Sequence, residues 1–355
     1  MNINLNNITR RYDIDLLRVI AIILLMIYHT AIFFTPFAKH ILFMKNDISL
    51  DWLWNLMSLL NTWRIPLLFF VSGMGVYFSF QRRNWKALLK ERAKRILIPF
   101  VFGFFAITPI HIMLFQYYYK KAIFYFPSPG HLWFLGNLMI YIIITIPVLV
   151  FLKNRKDSWL MLKIRKAVEK NSLLIFFLYI PYVLVARLTP GYVSFTGYAM
   201  SGHGFRIGLI SFILGFLIIS IGDGFWKALS KYKYVCLFLG TCLYVFRVYY
   251  LDFASPHWLT AIESISLIFF ILGVGYSYLN KDFKYLSVLS KAVLPVYIIH
   301  MIVMYIGAII VLPLYIPATV KFILISFFTI IVCYIIYDLI IKRLKFLHLW
   351  FGIRS

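Results

Sequence analysis

The chain is expected to fold as an all-α integral membrane protein of about ten transmembrane helices, with both termini cytoplasmic. Three observations carry that expectation. Apolar residues make up 63% of the 355 and charged residues 14%, against roughly 45–50% and 25% in soluble globular chains. The apolar residues gather into segments near the ~20 residues a helix needs to cross hydrocarbon. The basic residues, whose excess gives a net charge of +24, fall in short blocks between those segments. That dispersal sets aside the nucleic-acid partner that so high a charge would otherwise suggest.

The segments follow in order. The first, 16–37, comes after Arg10-Arg11 and has no small-x-small cleavage site, so it reads as an uncleaved span rather than a signal peptide. The second, 57–80, ends at the basic block 81–95, and the third, 96–116, leaves from it. An aromatic outer loop, YYYKKAIFYFPSPGH (117–131), reads as an interfacial cap before the fourth span, 132–152. Basic residues in 153–171 separate that span from the fifth, 172–189. The sixth, 205–222, returns to 223–233, and the seventh, 234–251, departs again. The eighth, 258–279, ends at 280–291; the ninth and tenth, 292–312 and 320–341, finish the set before 342–355. With a cytoplasmic N-terminus, the six inner segments hold 26 of the 36 Lys and Arg, whereas the outer loops hold only Lys39, Lys45, Lys120 and Lys121. This is the positive-inside pattern, and a miscounted span would have thrown the blocks out of phase. The expectation is one membrane domain, 1–355, without a soluble extension, multi-pass in the cytoplasmic (inner) membrane. Cys236, Cys242 and Cys333 all lie in apolar runs and read as packing residues, with no metal site.

Several ionisable residues sit where hydrocarbon makes them costly. On the first span, Arg18 and His29 are eleven residues apart, which on a helix puts them on one face about 16 Å apart, with Ile22 and Leu25 between. Asp15 lies one turn before Arg18, so Arg18 reads either as a paired helix-end anchor or as part of a site. His29 reads either as a structural hydrogen-bonding group or as a functional one. In the loop 81–95, Arg92 and Arg95 fall one turn apart on one helical face, a spacing that suits phosphate oxygens but is also ordinary for a basic inner loop. Arg64, Arg187, Arg206 and Arg247 map to the outer ends or outer thirds of their spans. Glu263 and His29 share that depth, His131 opens the fourth span in HLWFL, and His300 lies mid-span in VYIIH. Two arrangements fit: a polar cavity open to the outside, or separate ion pairs such as Glu263 with one arginine.

These residues resemble a known family. Arg18 and His29 within YDIDLLRVIAIILLMIYH are followed by FFVSG (69–73), Arg92-x-x-Arg95 leading into ILIPF, HLWFL (131–135), FILGF (212–216) and VYIIH (296–300). Together they resemble the acyltransferase 3 family of transmembrane acyltransferases over nearly the whole chain, with the expected ten spans. The resemblance implies an O-acyltransferase that moves an acyl group, acetyl or succinyl, from cytoplasmic acyl-CoA to a hydroxyl of an extracytoplasmic glycan. It implies acyl-CoA as co-substrate and no permanently bound cofactor, with Arg92 and Arg95, joined by Arg18, holding the CoA phosphates. The pantetheine arm would run beside Ile22 and Leu25 to His29. Some members hand the acyl group to an additional extracytoplasmic domain; none is expected here, so the chain would complete transfer itself or use a separate partner.

An alcohol is a poor nucleophile toward a thioester, and a neutral imidazole can take its proton as the bond forms. His29 is therefore the expected general base, with Glu263 orienting its ring. Arg64, Arg206 and Arg247 are candidates for the oxyanion or for an anionic acyl group, and His131 and His300 for substrate contacts. The rival expectation is a transporter or flippase of a glycan or lipid-linked intermediate, with the same residues lining a conduction path. Neither inverted halves nor paired broken helices are visible in the sequence.

Overall fold

Hydrocarbon offers no partner for a backbone N–H or C=O, so each spanning segment must satisfy those groups internally. The computed structural model describes residues 11–189, 200–253 and 255–353, and no strand occurs among them. Arg10 and Arg354 of the expected inner segments lie outside the described residues. In chain order the helices are α1 (Tyr12–Ile32), α2 (Asp51–Gln81), α3 (Trp85–Tyr118), α4 (Gly130–Asn154), α5 (Trp159–Lys170) and α6 (Ser172–Arg187). They continue with α7 (Gly202–Ile221), α8 (Asp223–Tyr250), α9 (His257–Leu279), α10 (Leu286–Val311) and α11 (Ala318–Ile341).

All ten apolar segments are helical, and eight helices, α1 to α4, α7 and α9 to α11, are long and apolar enough to cross a membrane. The other two depart from expectation. Segment 172–189 is the short α6, which opens as a 3-10 turn over Ser172–Leu178. Segment 234–251 is the second half of α8, whose first half carries Lys227, Lys231 and Lys233 and had been expected as a connection. The block 153–171 is likewise not all loop: α5 is capped by Ser158, whose side chain accepts from the Met161 N–H. Cys236 and Cys333 are buried as expected, but Cys242 is exposed on α8, so its packing role is not borne out.

Packing joins α8 to α9, α2 to α7 and α10 to α11, with α1 lying between α2 and α10. The α2–α7 contact explains two of the sequence motifs. Gly73 of FFVSG faces the backbone of Phe212, and Gly215 of FILGF faces the backbone of Phe70; a Cβ at either position would overlap the opposing carbonyl oxygen. Small residues are what allow two membrane helices to approach this closely.

Pro66 lies inside α2 and cannot donate to the Thr62 carbonyl one turn earlier. Ser264 of α9 supplies the missing donor, its Oγ lying 2.7 Å from that oxygen. The polar contact continues through Tyr182 of α6, 3.2 Å from Ser264, to Ser211 of α7. Beside it, Arg247 of α8 makes a bidentate pair with the fully buried Glu263 of α9, at 2.8 and 2.9 Å. Thr62 Oγ1 adds a bond to Glu263 at 3.2 Å.

The last described turn folds back on α3. Phe351 packs on Phe102, and Gly352, in the left-handed region at φ +65°, lies so close to the Arg95 carbonyl that a Cβ there would be 2.6 Å from it.

Two stability predictions follow from this packing. Gly73→Ala must part α2 from α7 and should cost about 1–3 kcal/mol, as overpacking does, seen as a lower unfolding midpoint in detergent. Arg247→Ala should cost about 3–5 kcal/mol by leaving Glu263 buried and unpaired. The double change Arg247→Met with Glu263→Leu should recover most of that loss in the same measurement.

Candidate active site

The site is built on α1, whose two ends meet different neighbours. Arg18, toward the N-terminal end, pairs with Asp15 at 3.3 Å and donates from Nη2 to the Val71 carbonyl of α2 at 3.1 Å. One turn further along α2, the Gly75 carbonyl accepts from Arg92 at 3.2 Å. Gly75 also makes room for Arg18, because a Cβ there would lie 2.6 Å from Arg18 Nη2. Arg92 and Arg95 both engage Glu91, at 3.1 and 3.2 Å, and the Arg95 charge is close enough to act on Arg18. Arg95 sits in a π-helical turn, Ala93–Leu97, which widens α3 where it carries the guanidinium groups. Arg18 and Arg92 are thus brought together at Gly75, with Arg95 joined to them through Glu91, which offsets part of their charge.

His29, eleven residues along α1, is half-buried, and its Nδ1 lies 2.9 Å from Nε2 of His300 on α10. The two rings lie nearly parallel, 6° apart, with centroids 5.2 Å apart, as an edge-to-edge hydrogen bond requires. His300 is fully buried, and its own Nδ1 is 2.6 Å from the Tyr297 carbonyl. His131 joins from the 3-10 turn that opens α4: its ring centroid is 4.9 Å from that of His300, and its Nε2 lies 3.1 Å from the Ile298 carbonyl. Gly130, at φ +44°, makes the turn that delivers it, and the Tyr297 hydroxyl donates to the His131 carbonyl. Phe43, from the loop after α1, covers the His29 ring at 6.0 Å.

Arg64 of α2 is fully buried beside this group. It donates to the Leu24 carbonyl at 3.3 Å, stacks over Tyr28 at 4.2 Å and is near enough to His29 and His300 to act on both electrostatically. Its Nε has no hydrogen-bond partner, and among the described residues no carboxylate pairs with it.

The other expected site residues lie elsewhere. Glu263 does not orient His29: both its oxygens are engaged by Arg247 and Thr62, and His300 occupies the place on the imidazole expected for it. Arg247 is correspondingly spent on Glu263. Arg206 donates to Thr189 Oγ1 at 2.6 Å and belongs with His203 and His257, whose rings stack at 4.1 Å. The polar residues at this depth therefore form neither one cavity lining nor only isolated pairs, but three separate groups. Sequence reasoning missed His111 of α3, 5.7 Å from His131 by ring centroids, although PIHIM carries the same signal of an ionisable group in an apolar run. It also missed Gly75 and Tyr297. Despite four neighbouring histidines, no group of three or more His, Cys, Asp or Glu among the described residues is arranged to hold a metal ion.

Comparison with known proteins bears on what two such ends do. The family model described as "Acyltransferase domain", the acyltransferase 3 family, matches residues 11–338. Proteins named glucans biosynthesis protein C are similar: that of Salmonella schwarzengrund is 24% identical over 193 residues, and those of Salmonella typhi and Salmonella typhimurium are 23% identical over the same length. The aligned part is 50% of this chain and 49% of each relative, so the match spans about half the length of the curated relatives. No solved structure matches. The family match takes in α1 to α10 and nearly all of α11, including every arginine and histidine of the candidate site, and on that extent the chain belongs to the acyltransferase 3 family of membrane acyltransferases.

Proposed function

We propose that this membrane acyltransferase moves an acetyl or succinyl group from cytoplasmic acyl-CoA to a hydroxyl of an extracytoplasmic glycan, with His29 as general base. The observation that carries the reading is the pairing of two ends on one helix: three clustered arginines at Arg18, and a histidine group with an unpaired buried cation at His29. Guanidinium forks suit phosphate oxygens, so Arg18, Arg92 and Arg95 would hold the CoA phosphates. Their basic surroundings agree with a cytoplasmic location of that end, in an inner membrane. The thin pantetheine arm would reach His29 along the α1 face, parting the buried Ile22 and Leu25.

In the reaction, the acceptor oxygen attacks the thioester carbonyl carbon as His29 takes the hydroxyl proton. Collapse of the tetrahedral intermediate forms the ester and expels the CoA thiolate, to which the proton is returned. Arg64, with a free N–H in an apolar surround, suits the developing oxyanion, or the distal carboxylate if the acyl group is succinyl. His131, with an unpartnered Nδ1, and Arg206, beside His203 and His257, are the proposed acceptor contacts. The printed name of the relatives favours a glucan as acceptor, which mass spectrometry of surface glycans with and without the protein would identify together with the acyl group. Transfer of a labelled acyl group from CoA by detergent-solubilised protein distinguishes this reading from a transporter.

His29→Ala should lower transfer about 10²–10⁴-fold while leaving the protein folded and binding CoA; retention of substantial transfer in a folded variant overturns the base assignment. Arg92→Ala with Arg95→Ala should weaken CoA binding, measured by calorimetry on purified protein, with unchanged binding counting against the phosphate contact. Gly75→Val should also weaken CoA binding, because the new side chain displaces the Arg18 guanidinium rather than backbone.

A further inference from the structure

Resting on the reading of His29 as base, we propose that His300 is a positioning residue that fixes the His29 tautomer and so selects Nε2 as the basic nitrogen. The inference follows from what each atom can do. The Tyr297 carbonyl can only accept, so the 2.6 Å contact requires a proton on His300 Nδ1. A neutral imidazole with Nδ1–H has a lone pair on Nε2. His29 Nδ1, 2.9 Å from that lone pair, must then be the donor. The proton of His29 is thereby held on Nδ1, and Nε2 is left as the acceptor for a substrate hydroxyl.

The geometry also limits what His300 does. It is fully buried, and both its nitrogens are occupied. It accepts from His29 whether His29 is neutral or protonated, and it carries no charge to neutralise the imidazolium. Arg64, a cation that acts on both rings, opposes that charge further. The imidazolium formed when the acceptor O–H proton moves to Nε2 is therefore not stored. The proton passes to the CoA thiolate as the C–S bond breaks, giving the thiol and the ester with no net gain or loss at His29. A carboxylate in place of His300 would hold the proton instead. A thiolate, being a better leaving group than an amine or alkoxide, needs no strongly stabilised acid to depart, which suits a neutral orienting partner.

The test compares two amides in the full chain. In His300→Gln the side-chain oxygen reaches the place of Nε2 and can accept from His29, whereas in His300→Asn the amide reaches only the place of Nδ1. His300→Asn should lose about 10²–10⁴-fold in kcat, the scale of a lost general base, as CoA release from acetyl- and succinyl-CoA with a cell glycan fraction. His300→Gln should lose far less, and both should bind CoA as the wild type does. Nitrogen NMR of histidine-labelled protein should find His29 protonated on Nδ1 and bare on Nε2 in the wild type, with that preference lost in His300→Asn. A wild-type His29 protonated on Nε2, or an Asn variant as active as Gln, overturns the proposal. The NMR result does not depend on chemistry, so a failed base assignment, shown by an active His29→Ala, is distinguishable from a failed tautomer assignment.

Discussion

An ionisable side chain between apolar helices must find its partner inside the protein, since the desolvation cost is large and lipid offers nothing in return. That constraint sorts the polar residues of this chain. Arg247 and Glu263 pair with each other and with Thr62, and so tie α8, α9 and α2 together. Arg18 is satisfied by Asp15 and a backbone carbonyl. Arg64 is only partly satisfied, by one carbonyl and the face of Tyr28. A group that bears the cost of burial and keeps a donor in reserve can still take a ligand, which is why the oxyanion contact is proposed for Arg64 rather than Arg247.

The helices that hold these residues are positioned by small and irregular features rather than by side-chain bulk. Gly73 and Gly215 bring α2 and α7 backbone to backbone. Pro66 opens a carbonyl that Ser264 then closes from α9. The π-helical turn Ala93–Leu97 changes the pitch of α3 where Arg95 must meet Glu91 and the Arg18 region. Each device lies within a few residues of a candidate site side chain, so the framework and the candidate site share their contacts.

The helical architecture was legible because its signal is one-dimensional: length, hydropathy and the phase of basic blocks. The Arg18–His29 stripe and the Arg92–Arg95 pair were legible because helical periodicity fixes them. α8 was misjudged at its start because a helix can run past the hydrocarbon and carry lysines whose stems lie along the bundle, as Lys233 does. Glu263 was misassigned because depth alone says nothing about azimuth: it shares a level with His29 but faces α8. The His300 contact depends on how α10 is rotated against α1, and nothing in VYIIH records that rotation. His111 was hidden for the same reason, its neighbours being 20 and nearly 200 residues away.

The turn at Gly352 gives the far end of the chain a mechanical hold on the arginine cluster. Its backbone rests on the carbonyl of Arg95, and Phe351 wedges against Phe102 on the same helix. A purification handle or fluorescent fusion placed after this turn would pull on the stretch of α3 that carries Arg95, the residue proposed above to meet the donor.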